Sequence, residues 1–206
     1  MTASTVYVVR HGQTPWTASG RVQGWAPVPL NETGVEQVTA TAAHLDEVLD
    51  TERVRVVSSD IRRAAESADI VAAELHGVSS VDHDRRWRER NFGVFQGLSD
   101  RRYNDDPVVR AAMDDSLAWQ PENGESWRAV QTRVETAWQQ LRNTVDGDTV
   151  VVVAHTGPIH CLLAAVGDRP LATELAEEHI PEASVARLSV DADGTTISAR
   201  DRTPSR

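Results

Sequence analysis

The sequence predicts an α/β fold, a three-layer α/β/α sandwich around a mostly parallel sheet. Three observations carry this. Short β-branched apolar runs alternate along the chain with longer segments whose apolar residues recur at helical spacing. One run, Thr149–Ala154 (TVVVVA), has no polar alternation, as expected of a strand covered on both faces. Three of the runs give way to polar residues at their carboxyl ends, where open parallel sheets hold their ligands.

The elements follow in order. Residues 5–10 (TVYVVR) read as a buried strand. Segment 34–50 brings Val35, Val38, Ala42, Leu45 and Leu49 onto one helical face. Residues 54–57 are a second strand, after which Asp60 opens a helix to about Leu75, stopped by Gly77. A third strand is expected over 80–83. Residues 99–125 are acid-rich and punctuated by Pro107, Pro121 and Gly124, so they read as a cap inserted into a single domain over 1–206, with room for short helices. A long helix is expected over 126–145, then strand 149–154. Gly157-Pro158 starts the next helix, to about Val166, with Pro at its first position. Strands 185–190 and 195–199 close the sheet as a hairpin around Asp193-Gly194, and residues 201–206 are expected to fray.

Composition narrows the function. A chain of 206 residues with 40% hydrophobic and 25% charged residues is ordinary for one globular domain. No stretch approaches the ~20 apolar residues of a membrane span, and no basic-then-apolar leader precedes the first strand. The single cysteine, Cys161, allows no internal disulfide and reads as a small buried hydrophobe. A cytoplasmic protein is the expectation. The net charge is −10, which disfavours nucleic acid and anionic membrane as partners. All 21 basic residues are arginine. The absence of lysine reads either as high-GC codon usage or as adaptation to a salty interior where self-repulsion is screened; the acid excess tips the balance slightly to the second.

The chemistry sits at the strand ends. The first strand ends in Arg10-His11-Gly12, the second in Ser58-Ser59-Asp60 with Arg63 in the following helical turn, and strand 149–154 in His155-Thr156-Gly157. Two imidazoles, two fixed planar cations and at least two helix N-termini together suit a phosphoryl group. Taken singly, each has a plainer reading: Arg63 as an ion-pair partner of Glu66 or Asp60, His155 as a core histidine. Their convergence favours a joint site. Residues 124–128 (GESWR) lack the second glycine of a serine nucleophile elbow, and no Walker-type lysine exists. His155 and His160 are five apart rather than the four of a helical zinc pair, so no metal site is expected. His44, His76, His83 and His179 read as scattered surface residues.

The segment Val9-Arg10-His11-Gly12-Gln13-Thr14 resembles the signature of the histidine phosphatase superfamily, the phosphoglycerate-mutase-like proteins. Four further blocks resemble that family in order: Gly20-Arg21-Val22-Gln23-Gly24 with Pro29-Leu30-Asn31 and Gly34; residues 58–64 (SSDIRRA); residues 88–97 (RERNFGVFQG); and Gly124-Glu125-Ser126 followed by residues 152–157 (VVAHTG). The resemblance implies that His11 attacks phosphorus and becomes phosphohistidine, its ring neutral when it does so. It implies that Arg10, Arg63 and His155 hold the equatorial oxygens. It implies that Glu89 protonates the leaving alkoxide and then activates water. Gln23 and the Gly24 backbone line the phosphate pocket on this reading, with Gln13, Thr14, Thr17 and Thr156 beside them. Thr17 stands where the family often has Asn, Thr156 where many members have Gly, and Trp87 where Leu is common; these alter the shape of the pocket rather than the reaction.

Within the superfamily the fork is hydrolase against mutase. Only 66 positions separate Glu89 from His155, which resembles the shorter phosphatases rather than cofactor-dependent phosphoglycerate mutases. Residues 100–127 hold Asp100, Asp105, Asp106, Asp114, Asp115, Glu122 and Glu125 against Arg101, Arg102 and Arg110. If these face the pocket, they disfavour bisphosphates. The expected ligand is a small phosphorylated metabolite with few other charges, handled without metal or cofactor by a monomer or homodimer. Trp16, Trp25 and Trp87 lie near motifs and read as packing or as an apolar wall for the leaving group. The alternatives are a mutase, a non-catalytic phospho-ligand-binding member and a phosphoprotein phosphatase.

Overall fold

A computed structural model describes residues 3–49, 53–78, 80–112, 116–176 and 180–202. Strands β1 (Ser4–Arg10), β2 (Val54–Ser58), β3 (Val81–His83), β4 (Thr149–Ala154), β5 (Val185–Val190) and β6 (Thr195–Arg202) form one sheet. Their order is β3-β2-β4-β1-β5-β6. The first four run parallel, while β5 pairs antiparallel with β1 and β6 with β5. The expected mostly parallel α/β sheet is therefore present, with an antiparallel hairpin at one edge.

Two apolar layers follow from the alternation of side chains along each strand. Val6 and Val8 of β1, with Val150, Val152 and Ala154 of β4, pack under helices α6 (Trp127–Arg142) and α7 (Thr156–Val166). Tyr7, Val9, Val151 and Val153 face helices α2 (Glu32–Val48) and α3 (Arg62–Glu74). The helices meet the sheet through residues at helical spacing: Val38, Ala42 and Leu45 on α2, Ala64, Ala68 and Val71 on α3, Val130, Val134 and Trp138 on α6. All six residues of β4 are buried. Each of its central valines contributes roughly 1.5–3 kcal/mol of transfer free energy, which explains an uninterrupted run at the sheet's centre.

The connections place the site. The helix after β1 lies on one face and the helix after β4 on the other, yet β1 and β4 are neighbours. A crevice therefore opens between their carboxyl ends.

Several boundaries differ from the sequence reading. Helix α3 starts at Arg62 with Ile61 as its cap, because the Asp60 carboxylate is engaged by Arg88 Nε and Nη2, each at 2.5 Å. Helix α7 starts at Thr156, capped by His155, so Pro158 is its third residue and not its first. Helix α2 begins at Glu32 behind an Asn31 cap and ends at Val48; residue 50 of the expected helix lies outside the described residues. β6 runs through Arg202, where fraying was expected from 201 onward, because β5 supplies backbone partners; residues 203–206 lie outside the described ones. Short elements carried too little periodicity to be read: α1 (Pro15–Ala18), the 3₁₀ turns Arg85–Trp87 and Gly93–Phe95, and α8 (Leu171–Leu175). The segment read as a cap holds α4 (Asp100–Asp105) and α5 (Pro107–Ala111), with Asp106 ending the first and capping the second. Among the described residues no helix is long and apolar enough to cross a membrane.

Candidate active site

The register of β1 against β4 pairs Arg10 with Ala154, so the next residue on each strand is a histidine. The His11 and His155 ring centroids lie 5.1 Å apart. Gly12 lets the chain turn away over α2, where a Cβ would strike the Gly34 carbonyl and Val38. His11 Nδ1 lies 2.7 Å from the Gly12 carbonyl oxygen. That oxygen only accepts, so Nδ1 carries the hydrogen and Nε2 keeps its lone pair. Arg63 Nε donates to this Nε2 at 3.0 Å. Burial, then the charges of Arg63 and Arg10, hold the ring's pKa well below its usual 6.5, so His11 is neutral at pH 7.

His155 is held from the opposite nitrogen. Its Nε2 meets Ser59 Oγ at 2.8 Å. Ser59 Oγ also accepts from the Ile61 N–H at 3.2 Å, which ties the histidine to the start of α3. Burial and then Arg63 also hold this ring's pKa well below its usual 6.5, so it is neutral. Nδ1 finds no hydrogen-bond partner among the described residues, although it is buried.

Two guanidiniums flank the histidines. Arg63, turned inward from the first turn of α3, donates Nη2 to the Gly24 carbonyl at 3.0 Å and Nη1 to that of Ala26 at 3.3 Å. Burial lowers its pKa to about 10, so it stays cationic at neutral pH. The competing partners belong to other arginines: Glu66 pairs with Arg62 and Asp60 with Arg88. Arg10 donates Nη1 to the Ile180 carbonyl and Nη2 to Glu182 Oε1 at 3.3 Å. Burial lowers its pKa, while Glu182 and then Glu89 oppose the shift.

Glu89 sits on an irregular segment after the 3₁₀ turn. Its Oε1 accepts from the Arg90 N–H at 2.8 Å and its Oε2 from the Gly157 N–H at 3.2 Å, at the N-terminus of α7. Gly157 permits this approach, because a Cβ there would strike Glu89 Oε1.

These groups share a cavity of about 300 Å³. Of the sequence-nominated residues, Arg10, His11, Thr17, Gln23, Gly24, Arg63, Glu89 and Thr156 line it. Gln13 and Thr14 do not. Gln13 Oε1 accepts from Asn31 Nδ2 at 2.9 Å, fastening the β1 loop to α2. Thr14 caps α1 and donates to Gln23 Oε1 at 2.8 Å, so it orients a lining residue from behind. His155 is fully buried beside His11 and is not among the lining residues.

Four lining residues were not nominated: Arg21, Phe92, Asp100 and Glu182. The first two sit inside quoted blocks and Asp100 among the cap acids, so signals for them existed. None marked Glu182, which reaches Arg10 only because β5 pairs with β1. Of the seven cap acids, Asp114 and Asp115 lie outside the described residues, and only Asp100 lines the cavity. Asp105 pairs with Arg110 and Glu125 with Arg133 instead. No tryptophan lines the cavity. Trp87 is core, Trp25 Nε1 donates to the Glu89 carbonyl at 2.7 Å, and Trp16 packs near Gly97. A larger hollow of about 520 Å³ beside β3 contains none of the strand-end chemistry. Among the described residues no cluster of three or more His, Cys, Asp or Glu is placed to hold a metal ion. Of the remaining histidines, His76 and His83 are exposed, His44 is half-buried, and His179 lies outside the described residues.

Fold and site together define a class: α/β-sandwich proteins that gather histidine, arginine and carboxylate at the switch point of a mostly parallel sheet. The profile of the histidine phosphatase superfamily (branch 1) matches residues 6–202, and the chain belongs to that superfamily. Phosphoglycerate mutase-like protein 4 of Arabidopsis thaliana is 34% identical over 198 residues, covering 93% of this chain and 82% of that one. The probable phosphoglycerate mutase GpmB of Escherichia coli is 29% identical over 163 residues, 78% of this chain and 74% of its own. Among solved structures, mycobacterial glucosyl-3-phosphoglycerate phosphatase in complex with VO3 superposes with a TM-score of 0.82 at 30% identity, covering 96% and 98% of the two chains.

Proposed function

We propose that the protein is a phosphomonoester hydrolase that works without a metal ion through a phosphohistidine on His11. The observation that carries this reading is the state of His11: neutral, its hydrogen committed to the Gly12 carbonyl and its Nε2 lone pair facing Arg63. In the first step a phosphoryl oxygen takes over the Arg63 N–H, and Nε2 forms a bond to phosphorus while the P–O bond to the leaving group breaks. Glu89 acts as the general acid and passes a proton to the departing oxygen. Arg10, Arg63 and His155, through its unpartnered Nδ1, receive the equatorial oxygens. Hydrogen bonds to charged groups of this kind contribute roughly 1.5–3 kcal/mol each. In the second step water attacks phosphorus, Glu89 takes a proton from it, and the P–N bond breaks to regenerate neutral His11 and release phosphate.

Two lining carboxylates besides Glu89, Asp100 and Glu182, support a substrate whose leaving group carries little further negative charge. The mutase reading keeps a place because two relatives bear that name, so the test includes it. Phosphate release from p-nitrophenyl phosphate and from a panel of alkyl phosphomonoesters is measured with EDTA present, in wild type and His11→Ala. Turnover in EDTA that disappears in the variant, together with an acid-labile, alkali-stable phosphoenzyme, is the expected result. Interconversion of phosphoglycerates without net phosphate release would replace hydrolysis by mutase chemistry. A preference for a sugar bisphosphate over neutral-tailed monoesters would overturn the assignment of substrate class.

A further inference from the structure

We infer that Arg133, paired with Glu125, is the positioning residue that aims the Glu89 carboxyl for its proton transfers; the inference rests on the reading of Glu89 given above. Glu89 stands on an irregular segment, residues 88–92, that no helix or strand ladder holds in place. The Arg90 and Gly157 N–H groups hold its carboxylate and Trp25 Nε1 its carbonyl, while the Arg133 guanidinium on α6 fixes the backbone on both sides of it. Nη1 donates to the carbonyls of Arg86 at 2.7 Å and Arg88 at 2.6 Å. Nη2 donates to the Glu89 carbonyl at 2.9 Å and to Glu125 Oε2 at 3.1 Å. Nε donates to Glu125 Oε1 at 3.0 Å. All five N–H donors of the side chain are thereby used. Glu125 extends the grip, because its Oε2 also accepts from the Asn91 N–H at 2.9 Å. One arginine and one carboxylate thus bind the backbone at 86, 88, 89 and 91, on both sides of the acid. Lysine cannot reproduce this: it has three donors on a single nitrogen and no planar fork. Arg133 does not line the cavity, so it acts through Glu89 and not on substrate.

Misplacing a proton donor by about 1 Å costs on the order of 10²-fold in rate. That cost depends on how much the leaving oxygen needs a proton, which a general structural role would not. Glycerol phosphate leaves as a strongly basic alkoxide, whereas p-nitrophenolate leaves readily without help. The test compares kcat/KM for these two substrates in wild type, Arg133→Gln, Arg133→Lys and Glu89→Gln. The expected result is a loss near 10²-fold on glycerol phosphate but under about 5-fold on p-nitrophenyl phosphate for Arg133→Gln, the same bias for Glu89→Gln, and partial relief of it in Arg133→Lys. Arg133→Lys, which keeps the charge, also carries the test if Arg133→Gln does not fold. Bias in Glu89→Gln with equal losses on both substrates, or none, in the Arg133 variants overturns the positioning role and leaves Glu89 as the acid. Equal losses on both substrates in Glu89→Gln overturn the reading of Glu89, and the role of Arg133 with it.

Discussion

Gly157→Ala separates folding from chemistry at one atom. Gly157 is the second residue of α7, in ordinary helical conformation, where Ala is preferred over Gly by about 0.5–1 kcal/mol. The added Cβ would collide with Glu89 Oε1 and lie 2.9 Å from Trp127 Cζ3. The carboxylate is a flexible end, and the partly buried Trp127 ring must also shift, which offsets part of the helical gain. The carboxylate gives way, and in doing so it leaves the Gly157 N–H that holds it at 3.2 Å. A displacement of about 1 Å costs on the order of 10²-fold, or about 2.7 kcal/mol of transition-state stabilisation. The expected outcome is a folded protein with a melting temperature close to that of wild type and kcat/KM on an alkyl phosphate reduced about a hundredfold. Thermal melts and steady-state kinetics on the same preparation check it. Wild-type activity in a well-folded Gly157→Ala protein would refute the reasoning, since Glu89 could not then work from beside the N-terminus of α7.

Three further outcomes are expected. His11 and His155 are both held neutral with folded pKa values well below the unfolded 6.5, so the unfolded chain binds protons that the native state does not. Stability is therefore present in full above pH ~6.5 and is lost as pH falls below it, by up to about 1.4 kcal/mol per pH unit for each ring; urea titrations should show a shallower slope in His155→Gln. Trp87, 1% exposed, joins the acid-bearing segment to the layer under α6, so Trp87→Ala should cost about 3–5 kcal/mol by denaturant midpoint, and a cost under 1 kcal/mol would mean the site collapses without a cavity. Glu182 competes with phosphate for Arg10, so Glu182→Gln should strengthen inhibition by inorganic phosphate several-fold, about 1 kcal/mol; an unchanged inhibition constant would take Glu182 out of substrate selection.

The parts of the molecule legible in sequence were those set by local periodicity. The apolar run Thr5 to Arg10 and the unbroken valines of β4 determined which strands are buried, because a strand covered on both faces needs apolar side chains on both. The spacing of Val38, Ala42 and Leu45 determined the inner face of α2 in the same way. The strand ends also marked His11 and His155, since parallel sheets open there. Glu89 was different: it stands on an aperiodic segment, and only its resemblance to a family block singled it out.

What tertiary structure alone decided were relations between residues far apart in the chain. The register of β1 with β4 brings His11 against His155, with the Gly12 carbonyl engaging Nδ1 of the first ring and the Ser59 hydroxyl Nε2 of the second. The antiparallel return of β5 carries Glu182 to Arg10 across 172 positions, and α6 delivers Arg133 to carbonyls 44 to 47 positions away. Which partner a charged side chain meets is also a tertiary matter, as Asp60 and Glu66 show by engaging Arg88 and Arg62 while Arg63 turns inward. A hydrophobic pattern is the property of one segment against water and can be read from that segment. A hydrogen bond needs two partners within about 3 Å, and the chain's fold alone sets that distance.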